Sequence, residues 1–195
     1  FRALAALLCA ASVAACSHSA SSSGAGASPA PATIKIGIDL PLSGADASVG
    51  RSTLNGMLLA ISQANAKGLP GKFKLETMQL DDAVQGVHSP EQGVSNVKTM
   101  IADPSVLAML GPYNSNVASA EIPVTNGAGL AQISPSAVSD GLTLGADAAT
   151  LRRNNPAQNA FFRVCTTDSR QGSAAAAFAL KFGWKKAYII DDDET

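Results

Sequence analysis

The sequence is poor in the residues that most catalytic sites require. Its 195 residues include two histidines and three cysteines, and the net charge is −1. A near-neutral charge gives no support to nucleic-acid binding, which needs a strong positive field. A hydrolase triad needs a histidine beside its nucleophile, and neither a G-x-S-x-G elbow nor a G-x-x-x-x-G-K-[ST] phosphate loop is present. The sequence therefore favours binding over catalysis and predicts no cofactor and no metal site.

Long apolar segments are also scarce. The longest is residues 1–15, FRALAALLCAASVAA, which is shorter than the roughly 20 apolar residues that span a bilayer. It matches the apolar region of a secretory signal peptide, and we expect the start of that peptide to precede Phe1. The Val13-Ala14-Ala15-Cys16 stretch resembles the bacterial lipobox, in which cleavage precedes a cysteine that is then lipidated. The alternative is an ordinary signal peptide in which Cys16 has no special role. A buried helix is disfavoured, because the residues that follow offer it no apolar surface to pack against.

The segment after Cys16 has almost nothing to bury. Residues 17–33 are nearly all Ser, Ala, Gly and Pro, and such a composition cannot offset the entropy of ordering. We predict that residues 16–33 are a lipidated cysteine followed by a flexible tether with a reach of roughly 20–25 Å. Because Cys9 would be removed with the signal peptide and Cys16 would carry the lipid, Cys165 is left alone and no internal disulfide is expected.

From Ile34 onward the sequence alternates strand-like and helix-like segments. The pattern of Ile34, Ile36, Ile38 and Leu40 has strand spacing. Further strands are expected in KFKLETMQL, SVLAMLG, LAQIS, AFFRV and KKAYII. The alternation predicts an α/β fold with a mostly parallel sheet and helices on both faces. After removal of the signal and tether, about 160 residues remain, which is enough for one core.

Helix signals lie between these strands. Ser89 is expected to be the N-cap of a helix, and Pro90 is expected at its first helical position. The apolar stripe of that helix is expected to contain Val94, Val97 and Ile101. A longer helix after the first strand is expected to end at Gly68.

Ligands of open parallel sheets bind beyond the carboxyl ends of the strands. The loops expected there read PLSGADASVG, GPYNSN and SPSAVS. Small hydroxyl groups and helix N-termini suit a small anion such as a carboxylate. Each loop taken alone is equally explained by helix caps and turns, but three of them at one edge favour a binding cleft. Asp81 and Asp82, which end a strand at this edge, are interpreted as turn caps, with cation or ammonium binding as the alternative.

Six stretches, in register, resemble the periplasmic leucine/isoleucine/valine-binding protein family. They are IKIGIDLPLSG, NGMLLAISQANAKG, QLDDAVQ, GPYNSNVASAEIP, GLAQISPSA and FFRVCTTDSRQG. The resemblance implies the two-lobed type I periplasmic binding protein fold, in which each lobe is a mostly parallel sheet flanked by helices. It implies lobe 1 at residues 34–159, and a crossing strand with the start of lobe 2 at residues 160–195. Such proteins hold a small ligand between the lobes.

The resemblance also implies which first-lobe residues contact the ligand. Ser115, which follows Asn114, matches a serine whose hydroxyl and backbone hold a carboxylate, and Ser136 matches a residue that binds through its backbone. Val138 stands where the family usually has a threonine, and the neighbouring Ser139 is a candidate substitute. Val49, before Gly50, stands where the family usually has an aromatic residue. Both departures make the pocket larger or less polar.

These observations predict an extracytoplasmic, lipid-anchored solute-binding protein. It would capture a small amino acid or amide-like ligand and deliver it to an ABC permease in the membrane. The sensing domain of a membrane receptor with the same fold is the alternative, and an exported enzyme is a third. His88, in a polar loop, is expected to have no chemical role.

Overall fold

The computed structural model describes residues 32–190, in which strands and helices alternate. Residues 1–31, with the predicted signal segment, Cys16 and most of the tether, lie outside the described part, as do residues 191–195. The strands are β1 (Thr33–Leu40), β2 (Lys74–Asp81), β3 (Ala83–Val84), β4 (Val87–His88), β5 (Val106–Leu110), β6 (Ala131–Ser134) and β7 (Phe161–Arg163). The helices are α1 (Ala47–Lys67), α2 (Pro90–Ala102), α3 (Ser115–Ala128), α4 (Gly145–Leu151) and α5 (Asp168–Lys181), and short 3₁₀ turns lie at Pro70–Lys72 and Asp140–Leu142.

Five strands form one parallel sheet in the order β2-β1-β5-β6-β7. The pairing of β1 with β2 is in register over eight residues, from Thr33 opposite Lys74 to Leu40 opposite Asp81. The predicted α/β class with a mostly parallel sheet is therefore confirmed. A second, two-stranded antiparallel sheet, β3 with β4, was not predicted from the sequence.

Helices cover both faces of the parallel sheet. On one face, Val97 and Met100 of α2 pack with Met109 of β5 in a buried cluster. On the other face, α1 presents Met57 and Ile61 to Leu110 across a largely apolar cavity of about 510 Å³. Because successive side chains of a strand point to opposite faces, Met109 and Leu110 serve different layers.

Helix α2 shows how local signals and packing combine. The Ser89 side chain accepts a hydrogen bond from the Gln92 amide at 3.2 Å, which confirms it as the N-cap. The predicted apolar stripe is wrong in one member, since Ile101 is 38% exposed. The buried side consists of Gly93, Asn96, Val97 and Met100, so Ile101 lies at its margin.

The last predicted strand, KKAYII, is not formed. Residues 185–190 have no strand pairing, and Tyr188, Ile189 and Ile190 are almost fully exposed. A strand needs a neighbour for its backbone groups, and no described residue supplies one. Strand β7 pairs with β6 in the main sheet, while the lobe boundary near residue 160 stays a prediction. Within residues 32–190, no helix has both the length and the apolar character of a membrane span.

The end of β5 approaches β1 too closely for a side chain. Gly111 has a φ of +123°, and a Cβ there would lie 2.0 Å from the Asp39 carbonyl oxygen. We expect Gly111→Ala to lower the free energy of unfolding by about 1–3 kcal/mol, because both the backbone conformation and the space are unfavourable. Chemical denaturation of the purified protein measures this effect.

Gly56 in α1 is the matched control. A Cβ there meets nothing within 4 Å, so Gly56→Ala should leave stability unchanged or raise it by about 0.5–1 kcal/mol through helix propensity. Equal stabilities of the two variants would contradict the close approach of β5 to β1.

Candidate functional site

The carboxyl ends of the parallel strands bring three loops to one edge of the sheet. The loop after β1 runs into α1, the loop after β5 runs into α3, and the loop after β6 leads through residues 135–139 to the next 3₁₀ turn. These are the loops in which the sequence predicts ligand contacts, and this edge is where open parallel sheets bind ligands.

The N-terminus of α3 is the centre of this edge. Ser115 is the first residue of the helix, and its Oγ accepts a hydrogen bond from the Ser139 amide at 3.2 Å. Asn114 is the N-cap residue, but its side chain does not cap the helix. Its Oδ1 is buried and has no donor among the described residues. The structure thus brings Ser115 and Ser139 together and leaves an acceptor of Asn114 unused beside them.

A cavity of about 300 Å³ adjoins Ser115 and Ser139. Its remaining wall comes from α3, the 3₁₀ turn after Ser139 and α4, with Ser119, Gly141, Leu142, Asp147, Thr150 and Leu151. Hydroxyl groups and the Asp147 carboxylate lie in this wall beside the apolar side chains of Leu142 and Leu151, so its character is mixed. The other predicted residues, Val49, Ser136, Val138 and Asn114, do not line this cavity.

Ser136 is held by internal hydrogen bonds. Its hydroxyl donates to the Tyr113 carbonyl at 2.7 Å, and its amide donates to the Ser134 hydroxyl at 3.3 Å. These contacts tie the loop after β6 to the loop after β5. The backbone contact that the resemblance assigns to Ser136 stays a prediction.

Val49 lies in the first turn of α1 and is 39% exposed. The next residue, Gly50, is buried against the loop after β1, since a Cβ there would lie 2.0 Å from the Pro41 carbonyl oxygen. This close approach fixes the position of Val49 at the edge of the sheet. Its role as a pocket wall stays a prediction.

Arg163 is a positioning residue that the sequence interpretation missed. Its guanidinium donates to the carbonyl oxygens of Ala137 at 2.9 Å and Ser139 at 2.8 Å, and also to the Thr143 hydroxyl. Between these anchors, the Val138 carbonyl accepts from the Asp168 amide at 3.0 Å. The loop with Val138 and Ser139 is therefore held by the segment that leads from β7 into α5. The isolated charge in AFFRV was the available signal.

Three buried carboxyl groups lie behind this edge. Asp39 of β1, Asp82 after β2 and Glu121 of α3 have no solvent-exposed surface. The Asn96 amide donates to Asp39 at 2.6 Å, and the Gln132 amide donates to Glu121 at 2.6 Å. Asp39 Oδ2 and Glu121 Oε1 are buried with no donor among the described residues, and a Cβ on Gly93 would lie 3.4 Å from the first and 2.8 Å from the second. Two neighbouring carboxyl groups in such a buried site cannot both ionise, so one of them keeps its proton.

Burial raises the pKa of all three groups. The pKa of Glu121 is raised well above its usual range by burial and by the neighbouring Asp39. Burial raises the pKa of Asp39 to about 6, although hydrogen bonds from Glu121 and Asn96 act in the opposite direction. Burial and the negative charges of Asp39 and Asp81 raise the pKa of Asp82 to about 7. Neither oxygen of Asp82 has a hydrogen-bond partner among the described residues.

Asp81 differs from its neighbour Asp82. Its Oδ1 accepts from the Leu42 amide at 2.8 Å and the Ala83 amide at 3.0 Å, so it caps the turn as predicted. Burial alone would raise the pKa of Asp81, but hydrogen bonds from Ser43, Ala83 and Leu42 outweigh burial and lower it. Among residues 32–190, no group of three or more His, Cys, Asp or Glu side chains has a metal-binding arrangement.

Comparison with known proteins identifies the family. The family model described as "Periplasmic binding protein" matches residues 33–195, which is most of the chain. The chain belongs to this family. As a periplasmic binding protein it is of a solute-binding type, and membership implies an extracytoplasmic location.

Individual relatives agree with this assignment. The chain is 27% identical over 160 residues to an amino acid binding protein of Pseudomonas aeruginosa, covering 82% of the chain and 39% of that protein. It is 28% identical over 136 residues to a Leu/Ile/Val-binding protein homolog of Brucella abortus, covering 70% of the chain and 32% of that protein.

A solved structure is also similar. The branched-chain amino acid transporter substrate-binding protein LivJ of Streptococcus pneumoniae, in complex with isoleucine, is 30% identical with a TM-score of 0.58, covering 70% of the chain and 35% of that structure. The chain thus spans about a third to two-fifths of the length of the relatives it matches.

The raised pKa of Asp82 makes the stability of this periplasmic binding protein depend on pH. In the folded protein Asp82 keeps its proton at pH values where the unfolded chain has lost it. The stability that this contributes is fully present below about pH 4 and is lost as the pH rises to about 7. We expect the free energy of unfolding to fall between pH 5 and 7.5, and Asp82→Asn to weaken this dependence and to be the more stable form at pH 7.5.

Asp103→Asn is the control for this measurement. The Lys35 ammonium and Ser105 hold the pKa of Asp103 near 2, so Asp103 is ionised throughout pH 5–7.5 in both states. Its replacement should lower the free energy of unfolding at every pH without changing how steeply that free energy depends on pH. Denaturant titrations at several pH values provide the comparison. If the free energy of unfolding of Asp82→Asn depended on pH as steeply as that of the unmodified protein, the raised pKa of Asp82 would be contradicted.

Proposed function

We propose that the chain is part of an extracytoplasmic solute-binding protein that captures a small amino acid and delivers it to an ABC importer. The observation that carries this proposal is the position of Ser115. It is the first residue of α3, lies at the edge where open parallel sheets usually bind ligands, and contacts Ser139. Amide groups at a helix N-terminus and the helix dipole stabilise a negative charge there, which suits the carboxylate of an amino acid.

The relatives favour a branched-chain amino acid as the ligand. The similar protein of Streptococcus pneumoniae is described in complex with isoleucine, and the relative from Brucella abortus is named a Leu/Ile/Val-binding protein homolog. These names also favour transport over a receptor's sensing domain. In the proposed site, Val49 and Val138 would present apolar side chains, against which an aliphatic ligand side chain would lose no polar contacts.

In this proposal, the second lobe closes over the ligand and the closed state is recognised by the permease. Closure requires the ligand to bind the closed state more tightly than the open one. Cys16 is proposed as the lipid attachment site, with residues 17–33 as the tether. The chain itself carries out no chemical reaction on the ligand.

A thermal-shift panel on the complete mature protein, without its lipid, tests the ligand class. Leucine, isoleucine and valine are compared with small carboxylates and amides. A ligand at a hundred times its dissociation constant adds about 2.7 kcal/mol of stability, so a bound amino acid should raise the unfolding temperature clearly. A rise with another small acid or amide alone would exclude amino acids, and no rise with any compound would contradict the proposed function.

Ser115→Ala tests the proposed carboxylate contact. Removal of the hydroxyl should weaken amino-acid binding by roughly 1–3 kcal/mol, the usual value for a hydrogen bond to a charged group. Calorimetric titration of the complete protein measures the affinity. Ser95→Ala, at an exposed position of α2, is the matched control, and equal affinities of the two variants would remove Ser115 from the site.

A further inference from the structure

Helix α5 begins without a cap of its own. Thr167 is its N-cap residue, but within residues 32–190 the Thr167 side chain makes no capping hydrogen bond to the helix. Its hydroxyl lies 3.2 Å from the Ser169 hydroxyl instead. The first N–H groups of a helix have no partner within the helix, and the side chain of the N-cap residue usually accepts from one of them. The acceptor for the start of α5 therefore comes from another segment.

Asp140, the first residue of the 3₁₀ turn after Ser139, supplies this acceptor from a position 29 residues before Ser169. Its Oδ2 accepts from the Ser169 amide at 3.1 Å, and its Oδ1 accepts from the Ser169 hydroxyl at 2.9 Å. Hydrogen bonds, chiefly from the Ser169 hydroxyl, hold the pKa of Asp140 below its usual value. The ionised carboxylate also suits the positive end of the helix dipole. Because both oxygens are bound by one residue, the contact fixes the direction of the helix start as well as its position.

The residues before Asp140 extend this contact. The Val138 carbonyl accepts from the Asp168 amide at 3.0 Å, so the first two amides of α5 are both bound by residues 138–140. Between Val138 and Asp140 lies Ser139, whose amide donates to Ser115 Oγ at 3.2 Å. Three consecutive residues thus hold the N-termini of α3 and α5 together.

The body of α5 is exposed. Among residues 32–190, no residue of this helix is buried, and Phe178 and Leu180 are 54% and 76% exposed. The helix belongs to residues 160–195, where the resemblance predicts the start of the second lobe. Since its body contributes little packing, the hydrogen bonds at its start place it relative to Ser115.

We propose that Asp140 is a positioning residue that caps α5 from the edge that carries Ser115, so that the placement of this helix depends on the loop that contacts the ligand. A hydroxyl group can donate and accept at once, so Ser115 can hold a carboxylate while it keeps the Ser139 amide. An occupied site orders residues 138–140, and through Asp140 it orders the start of α5, which lowers the entropic cost of closing the second lobe. The inference rests on the proposed function, because closure over an amino acid is the event that it assists.

Calorimetric titration of the complete mature protein, without its lipid, with leucine, isoleucine and valine tests the proposal. Asp140→Ala removes both acceptors, and we expect the affinity to fall about three- to tenfold, which corresponds to one net hydrogen bond. Asp140→Asn keeps an acceptor for the Ser169 amide and should bind within about twofold of the unmodified protein. Ser173→Ala removes a hydroxyl that bonds only within α5, to the Ser169 carbonyl at 2.8 Å. It is the matched control and should bind as the unmodified protein does.

The double variant Asp140→Ala, Thr167→Asp separates positioning from helix stability. A carboxylate at the N-cap position can accept from the amides of the first turn, so it restores a cap to α5 without a link to residues 138–140. We expect the unfolding temperature lost in Asp140→Ala to return while the affinity stays low. An affinity restored together with the stability would show that α5 needed only a cap, and would overturn the proposal.

The outcomes distinguish this proposal from the proposed function. If the unmodified protein binds none of the three amino acids, the proposed amino-acid function is wrong and the positioning role falls with it. If it binds, and Asp140→Ala binds equally well, the positioning role of Asp140 is wrong and the proposed function stands. Unfolding temperatures show whether each variant is folded, and Asp140→Asn compared with the double variant decides the question if Asp140→Ala does not fold.

Discussion

The buried pair of carboxyl groups, Asp39 and Glu121, is the interaction on which the edge of the sheet depends. Asp39 belongs to β1, an inner strand of the sheet, and Glu121 belongs to α3, the helix whose N-terminus carries Ser115. Asn96 connects the pair to α2, and Gln132 connects it to β6. A buried polar network of this kind is costly when incomplete and specific when satisfied. It therefore constrains how α3 packs on the sheet.

The loops after β5 and β6 are joined to each other by uncharged contacts. The Ser139 amide donates to Ser115 Oγ, and the Ser136 hydroxyl donates to the Tyr113 carbonyl. Charged groups hold the loops to the rest of the fold: the Arg163 guanidinium donates to carbonyl oxygens of the loop after β6, and Asp81 accepts from the Leu42 amide of the loop after β1. In the proposed site, a ligand would therefore meet hydroxyl groups, amide groups and the aliphatic side chains of Val49 and Val138. Substitutions at these two positions would be expected to change specificity with little effect on the fold.

Periodicity and caps predict the order of elements well, because each is a local property of the chain. The alternation in β1, the Ser89 cap and the stop at Gly68 are all read within a few residues. The buried carboxyls are different, because nothing beside Asp39 in an apolar strand shows that Glu121 lies against it 82 positions later. The same holds for His88, which lies beside Asp46 of the loop before α1 and Asn116 of α3. KKAYII has the pattern of a strand, but a strand also needs a neighbour, which no local pattern reveals.

The proton-linked groups of this edge belong to the scaffold and not to the loops that would face a ligand. Burial raises the pKa of Asp39, Glu121 and Asp82, and for Asp82 the charges of Asp39 and Asp81 add to the effect. Acidification neutralises these carboxyl groups, which favours the folded state. The contact of Ser115 with the Ser139 amide, by contrast, joins two groups that do not titrate in this range. Mild acid should therefore stabilise the scaffold and leave this contact unchanged.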